Sequence, residues 1–189
     1  MQQLDLLQYA ADVLERLNTP YLVVGSYGSF AYGEPRFTHD IDFVVDLNLS
    51  SASAFCAAFP LSDFFVSEDA VREAIRTRFQ FVVLENRSGH KIDFIFPRDD
   101  PWGRSQFERR EQISLVSGRL VDAASREDII LGKMLYYAEG RSPKHLRDIK
   151  GILATSGDLV NRKEIELWAR DLNLTDIWTM ILTLPDDVR

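Results

Sequence analysis

The chain has 189 residues, of which 46% are apolar, 11% aromatic and 27% charged, a composition that excludes disorder, collagen and low-complexity repeats and suits one compact folded unit. Its 22 basic and 29 acidic residues leave a net charge of −7, which argues against wrapping nucleic acid by charge alone, so an RNA substrate would need a local basic patch. Cys56 is the one cysteine, which rules out an intrachain disulfide or a cysteine-based zinc site and reads as a buried thiol among apolar neighbours. No apolar window approaches the roughly 20 residues of a membrane span, and Met1 to Asp5 lacks a basic region leading into an apolar run. The expectation is a cytoplasmic protein with no membrane partner.

Leu4, Leu7, Ala10, Ala11, Leu14 and Leu17 recur at helical spacing as far as Asn18-Thr19-Pro20 and predict an amphipathic opening helix. A strand over Tyr21 to Val24 follows and ends at Gly25. The small-residue segment Ser26 to Gly33 and the turn Glu34-Pro35-Arg36 then lead to Asp40 to Asp46, which alternates like a strand. A weak helix is expected over Ser51 to Ala58, a short strand over Phe64 to Val66, and a helix over Glu68 to Arg76 capped by Ser67. Phe79 to Glu85 and Lys91 to Phe96 read as a hairpin around Asn86-Arg87-Ser88-Gly89. A helix near Arg104 to Glu111 and short strands near Ile113 to Val121 complete the mixed portion.

From Ser125 the pattern turns helical. Ser125 caps a helix that Gly140 stops, Ser142 and Pro143 open the next, and two more follow around Asn161 and Thr175. The fold expected is α/β (α+β): a mixed β-sheet flanked by helices over residues 1–122, with a C-terminal helical extension over 123–189.

The chemistry concentrates in Gly25-Ser26 and, after thirteen intervening residues, Asp40-Ile41-Asp42. Strand residues two apart share a face, about 6.6 Å apart, so Asp40 and Asp42 present two carboxylates side by side. Such a pair can hold two Mg²⁺ ions about 3.5 to 4 Å apart, with triphosphate oxygens and water completing their shells; by itself it also suits a solvated strand edge. A glycine at a strand end lets backbone approach a ligand, and N–H groups at a helix start can hold phosphate oxygens, although Gly-Ser alone is equally a turn.

Together, strand, Gly-Ser, short helix and Asp-x-Asp resemble the signature of the nucleotidyltransferase superfamily with the DNA polymerase beta fold, most strongly over Tyr21 to Asp46. The stretches Glu127 to Leu135 and Gly140 to Ile149 resemble the helical tail of the abortive-infection toxin type and related bacterial nucleotidyltransferases.

The resemblance implies a metal-dependent nucleotidyltransferase, ATP being one candidate donor, that transfers a nucleoside monophosphate from an NTP to a small-molecule, protein or RNA 3′-end acceptor and releases pyrophosphate. Asp40 and Asp42 would ligate two Mg²⁺ or Mn²⁺ ions, and Asp93, on Lys91 to Phe96, would be the third carboxylate, with Glu85 in reserve. Gly25 and Ser26 would hold phosphates, and Arg36, Thr38 and Lys133 are further nucleotide-binding candidates. Lys133 has apolar neighbours three and four residues away, so its ammonium serves either a phosphate or a stem laid over the core. Tyr27, Tyr32 and Phe37 could flank a base, and residues 133–150 carry five cations against two anions. The rival readings are a non-catalytic nucleotide- or protein-binding domain of the same fold and a toxin acting on tRNA, neutralised by a cognate antitoxin.

Overall fold

The computed structural model describes residues 1–35, 38, 40–116 and 118–185, without the side chains of 115 and 116. Arg36, Phe37 and His39 lie outside the described residues. In chain order the elements are α1 (Gln3–Arg16), β1 (Tyr21–Val23), α2 (Gly25–Tyr32), β2 (Asp40–Val45), α3 (Ala52–Ala57), β3 (Phe64–Phe65), α4 (Glu68–Thr77), β4 (Gln80–Glu85), β5 (Lys91–Ile95), α5 (Pro101–Ser105), β6 (Glu111–Val116), β7 (Arg119–Ala123), α6 (Arg126–Gly140), α7 (Pro143–Ser156), α8 (Arg162–Asp171) and α9 (Thr175–Thr183).

The seven strands form one mixed sheet in the order β3-β4-β5-β2-β1-β7-β6. The β2–β5 and β1–β7 pairs are parallel and the remaining pairs antiparallel. Alternation along β2 divides its side chains between two layers. Ile41, Phe43 and Val45 enter a core with α1, α3 and α4, whereas Val44 joins Leu22 in a second core built with α6 to α9. In the first core Phe94 stacks on Phe43 at 5.6 Å and on Phe81 at 5.0 Å, a row running across β2, β5 and β4. Slipping any of these strands by one residue would turn its aromatic ring out of the core, so the row fixes the register of the opposite face as well.

Local signals set most helix starts. Ser67, Asp100, Ser125 and Asn161 accept from the amides of Ala70, Gly103, Asp128 and Glu164. Ser142 makes no such side-chain bond, and Pro143 alone opens α7. The helix expected over Arg104 to Glu111 is instead the five-residue α5, because Asp100 and Pro101 start it earlier and Glu111 pairs with Ala123 in the sheet. α6 runs through Gly140 and ends at Arg141, which takes the left-handed conformation at φ 52°. No helix among the described residues is long and apolar enough to cross a membrane.

Candidate active site

The site lies where the second face of the sheet emerges from under its helices. Along β2 this face carries Val44, Asp42 and Asp40: Val44 is buried, Asp42 half-buried, and the Asp40 side chain 45% exposed. On the adjacent parallel strand, Asp93 stands in register beside Asp42 and Lys91 beside Asp40. Neighbouring strands are about 4.8 Å apart, so three carboxylates and one ammonium crowd a small patch. Lys91 Nζ donates to Asp93 Oδ2 at 2.9 Å and lies 3.4 Å from Asp40 Oδ1.

The loop from β1 brings backbone against this patch. Val24 N–H donates to the Asp42 carbonyl at 3.0 Å, extending the β1 ladder by one residue and laying Gly25 beside the Asp42 side chain. Gly25 has φ +61°, and a Cβ built there would fall 1.9 Å from Asp42 Oδ2. The position therefore needs glycine both for its conformation and for the space the carboxylate occupies. α2 begins here with Ser26 buried in its first turn, and Ser29 Oγ donates to the Gly25 carbonyl at 2.7 Å. Thr38 Oγ1 accepts from Asp40 N–H at 3.3 Å and so orients the start of β2.

Electrostatics mark the cluster. Burial, then Asp93 and Asp40, push the Asp42 carboxyl up to about 6, while Lys133 and Lys91 draw it back. Hydrogen bonding to Asp93 raises the Lys91 ammonium. Tyr136, about half exposed on α6, is raised to about 12 by partial desolvation of its hydroxyl and by Asp42, Glu139 and Asp93. The oxygens are hard donors with unbalanced negative charge, the chemistry that Mg²⁺ or Mn²⁺ prefers, so the residues fit the implied ions. Among the described residues no group of three or more His, Cys, Asp or Glu side chains is drawn together closely enough to hold a metal ion as it stands, so the fit rests on the donor chemistry of the three acids.

Several sequence expectations are revised. Lys133 is buried, but in an ion pair with Asp148 Oδ2 of α7 at 2.5 Å, not as a stem laid over an apolar surface. The cations of residues 133–150 are correspondingly less available, since Lys150 also donates to the Leu184 carbonyl at 3.0 Å. Glu85 leaves the site: β4 turns it to the opposite face from Asp93, whose β4 neighbour is Val82. There its carboxylate accepts from Ser88 Oγ and, at 2.8 Å, from Ser88 N–H, contacts that hold it at about 2 and close the hairpin.

Tyr27 and Tyr32 pack inside the two cores, Tyr32 donating to the Ala124 carbonyl at 2.9 Å. Lys91, Tyr136 and Asp148 are the neighbours that sequence reasoning missed. The signals for them were a lysine two residues before Asp93 on one strand face, a tyrosine three after Lys133, and a buried ammonium in need of a counter-ion.

Comparison with known proteins adds the following. The family model described as nucleotidyl transferase AbiEii toxin, type IV toxin–antitoxin system, matches residues 29–178. The fold is similar to that of the antibiotic-resistance factor ANT(2″)-Ia in complex with adenylyl-2″-tobramycin, with a TM-score of 0.58 and 15% identity over 88% of this chain and 94% of that one. It is also similar to the lincosamide antibiotic adenylyltransferase LnuA with lincomycin bound, with a TM-score of 0.50 and 15% identity over 79% and 96% of the two chains. An antigenic nucleotidyltransferase-like protein from Paracoccidioides brasiliensis gives a TM-score of 0.50 and 22% identity over 76% and 72%. No curated protein matches the chain by sequence.

Proposed function

Because the chain belongs to the AbiEii nucleotidyltransferase toxin family, we propose that it transfers a nucleoside monophosphate from an NTP, ATP among them, to an acceptor hydroxyl or phosphate at the patch formed by Asp40, Asp42 and Asp93. The observation that carries this reading is the β2–β5 register, which sets Asp42 beside Asp93 on the one face that Gly25 and the start of α2 approach. The acceptor oxygen forms a bond to the α-phosphorus, the bond from that phosphorus to the β-bridging oxygen breaks, and pyrophosphate leaves with the electron pair. Asp40, Asp42 and Asp93 would hold two Mg²⁺ or Mn²⁺ ions, which when bound supply charge neutralisation for the phosphates.

The chain's own residues do the remaining work. Gly25 gives the triphosphate access to backbone N–H groups at the start of α2. Asp93 accepts the acceptor's proton, and Lys133, held by Asp148, keeps positive charge behind Asp42. Thr38 fixes the direction of Asp40, and Arg36 contributes a cation to the phosphates. The acceptor is a small molecule, a protein or an RNA 3′ end; the family's toxin role adds a cognate antitoxin encoded nearby and a cytoplasmic site of action.

Each labelled NTP, incubated with Mg²⁺ or Mn²⁺ and RNA, protein or small-molecule acceptors, tests the reading. Pyrophosphate release that disappears in Asp42→Asn and Asp93→Asn is the expected result. Neither nucleotide binding nor transfer under any condition would overturn it in favour of a non-catalytic domain.

A further inference from the structure

Lys91 is placed where a nucleotidyltransferase has most use for a cation of another kind. It rises from the acid face of β5 one pleat before Asp93, in register with Asp40, and its ammonium contacts both carboxylates, at 2.9 Å and 3.4 Å. These are two of the three oxygen sources assigned above to divalent ions. Its side chain is 41% exposed, and the two carboxylates hold its ammonium in place.

Resting on the function proposed above, we infer that Lys91 is a resident counter-cation that makes divalent-ion binding conditional on nucleotide. An ammonium 2.9 Å and 3.4 Å from one oxygen of each carboxylate repels a divalent ion seated on the same two carboxylates, so the ion enters more readily as the ammonium withdraws. Without nucleotide, the withdrawn ammonium exchanges two carboxylates for water. With a triphosphate in place it meets new anionic oxygens within the reach of its flexible stem. The nucleotide thereby raises the affinity for the ion, and by linkage the ion raises the affinity for nucleotide by the same factor. The competing account is an ordinary surface ion pair, which contributes little and obstructs nothing. The two accounts differ in what happens when the charge is removed.

The test is calorimetric titration of Mn²⁺ into the metal-free full chain, with and without a non-hydrolysable NTP analogue, for the wild type, Lys91→Met, Lys91→Arg and the exposed control Lys163→Met. Wild type is expected to bind Mn²⁺ weakly alone and about 5- to 150-fold more tightly with the analogue, the usual span of such couplings. Lys91→Met should bind Mn²⁺ without nucleotide about tenfold or more tightly than wild type, and the enhancement by the analogue should shrink by the same factor. Lys91→Arg should retain the wild-type pattern. Chelation by the analogue itself is common to all four proteins and cancels in the comparison. Equal nucleotide-free affinities for wild type and Lys91→Met, or an equal gain in Lys163→Met, would overturn the inference and leave the metal-dependent reading standing. Absence of Mn²⁺ binding in every protein, with and without analogue, would overturn both.

Discussion

Adding one methyl group at Gly25 tests the active-site geometry directly. In Gly25→Ala the new Cβ would lie 1.9 Å from Asp42 Oδ2, 2.6 Å from its Cγ and 2.9 Å from its Cβ. Restoring an ordinary contact of 3.4 Å requires the carboxylate oxygen to recede by about 1.5 Å. A misplacement of about 1 Å costs roughly 10²-fold in rate, so turnover should fall by about that factor or more. The left-handed backbone at φ +61° adds a separate stability cost of about 1 to 2 kcal/mol for a residue with a Cβ. At about 2 to 4 °C per kcal/mol for a chain of this size, the melting temperature should drop by about 2 to 8 °C. Circular-dichroism melting and pyrophosphate release on the same preparation separate the two effects: most of the protein remains folded at 25 °C while activity collapses. Wild-type turnover in a folded Gly25→Ala protein would show that the Asp42 position is not critical and would refute the reasoning.

Other perturbations probe the surrounding charges. The Asp42 carboxyl sits at about 6 in the fold, above its ordinary 3.8, so the folded state binds its proton more tightly. Charging it therefore costs stability as pH rises through that window. Without divalent ions, Asp42→Asn should be more stable than wild type at pH 7.5 by about 1 to 3 kcal/mol, and the advantage should close as pH falls through 6 toward 4, in urea titrations at each pH; the same variant should lose metal-dependent NTP binding. Lys133→Met removes the ammonium from its buried pair with Asp148 and should lower stability in urea denaturation by up to about 3 to 5 kcal/mol, with part of the loss recovered by adding Asp148→Leu. An unchanged stability, the expectation had Lys133 only lain over the core, would refute the buried pair. Glu85→Gln should lower the melting temperature at neutral pH yet leave nucleotide transfer intact; lost transfer in a folded variant would return Glu85 to the site.

The acids of β2 and β5 were legible because a strand's period of two is visible in sequence. Asp40 and Asp42 interrupt apolar positions on one face only, and Asp93 does the same among Ile92, Phe94 and Phe96. What joins the strands was not legible: nothing local to Lys91 to Phe96 says that it lies parallel to β2 with Asp93 beside Asp42. Lys133 shows the same limit from the helical side. Its partner, Asp148, is fifteen residues on and meets it only because α6 and α7 cross, so the local pattern revealed an apolar setting but not the counter-ion within it. Glu85 was misplaced for want of a face assignment, since a hairpin supplies backbone N–H groups that hold a carboxylate as well as any ligand does. The helix expected at Arg104 to Glu111 lies earlier, at Pro101–Ser105, because Asp100 and Pro101 carry the start signal, and of the expected stretch only Glu111 enters the sheet.

The aromatic row of Phe43, Phe94 and Phe81 lies beneath the one seam that the proposed active site bridges. Asp40 and Asp42 belong to the half of the sheet containing β1, and Asp93 to the half containing the β4–β5 hairpin; among the described residues the strands of the two halves pair only where β2 meets β5. Parting of that seam would separate the carboxylates while α6 to α9 remained packed on Leu22 and Val44. Enzymatic activity is therefore a gauge of this single junction. Under mild denaturant it should fade before helical circular dichroism does, and a buried substitution such as Phe94→Leu, far from any phosphate, would act on catalysis as a loosened hinge pin acts on a pair of jaws.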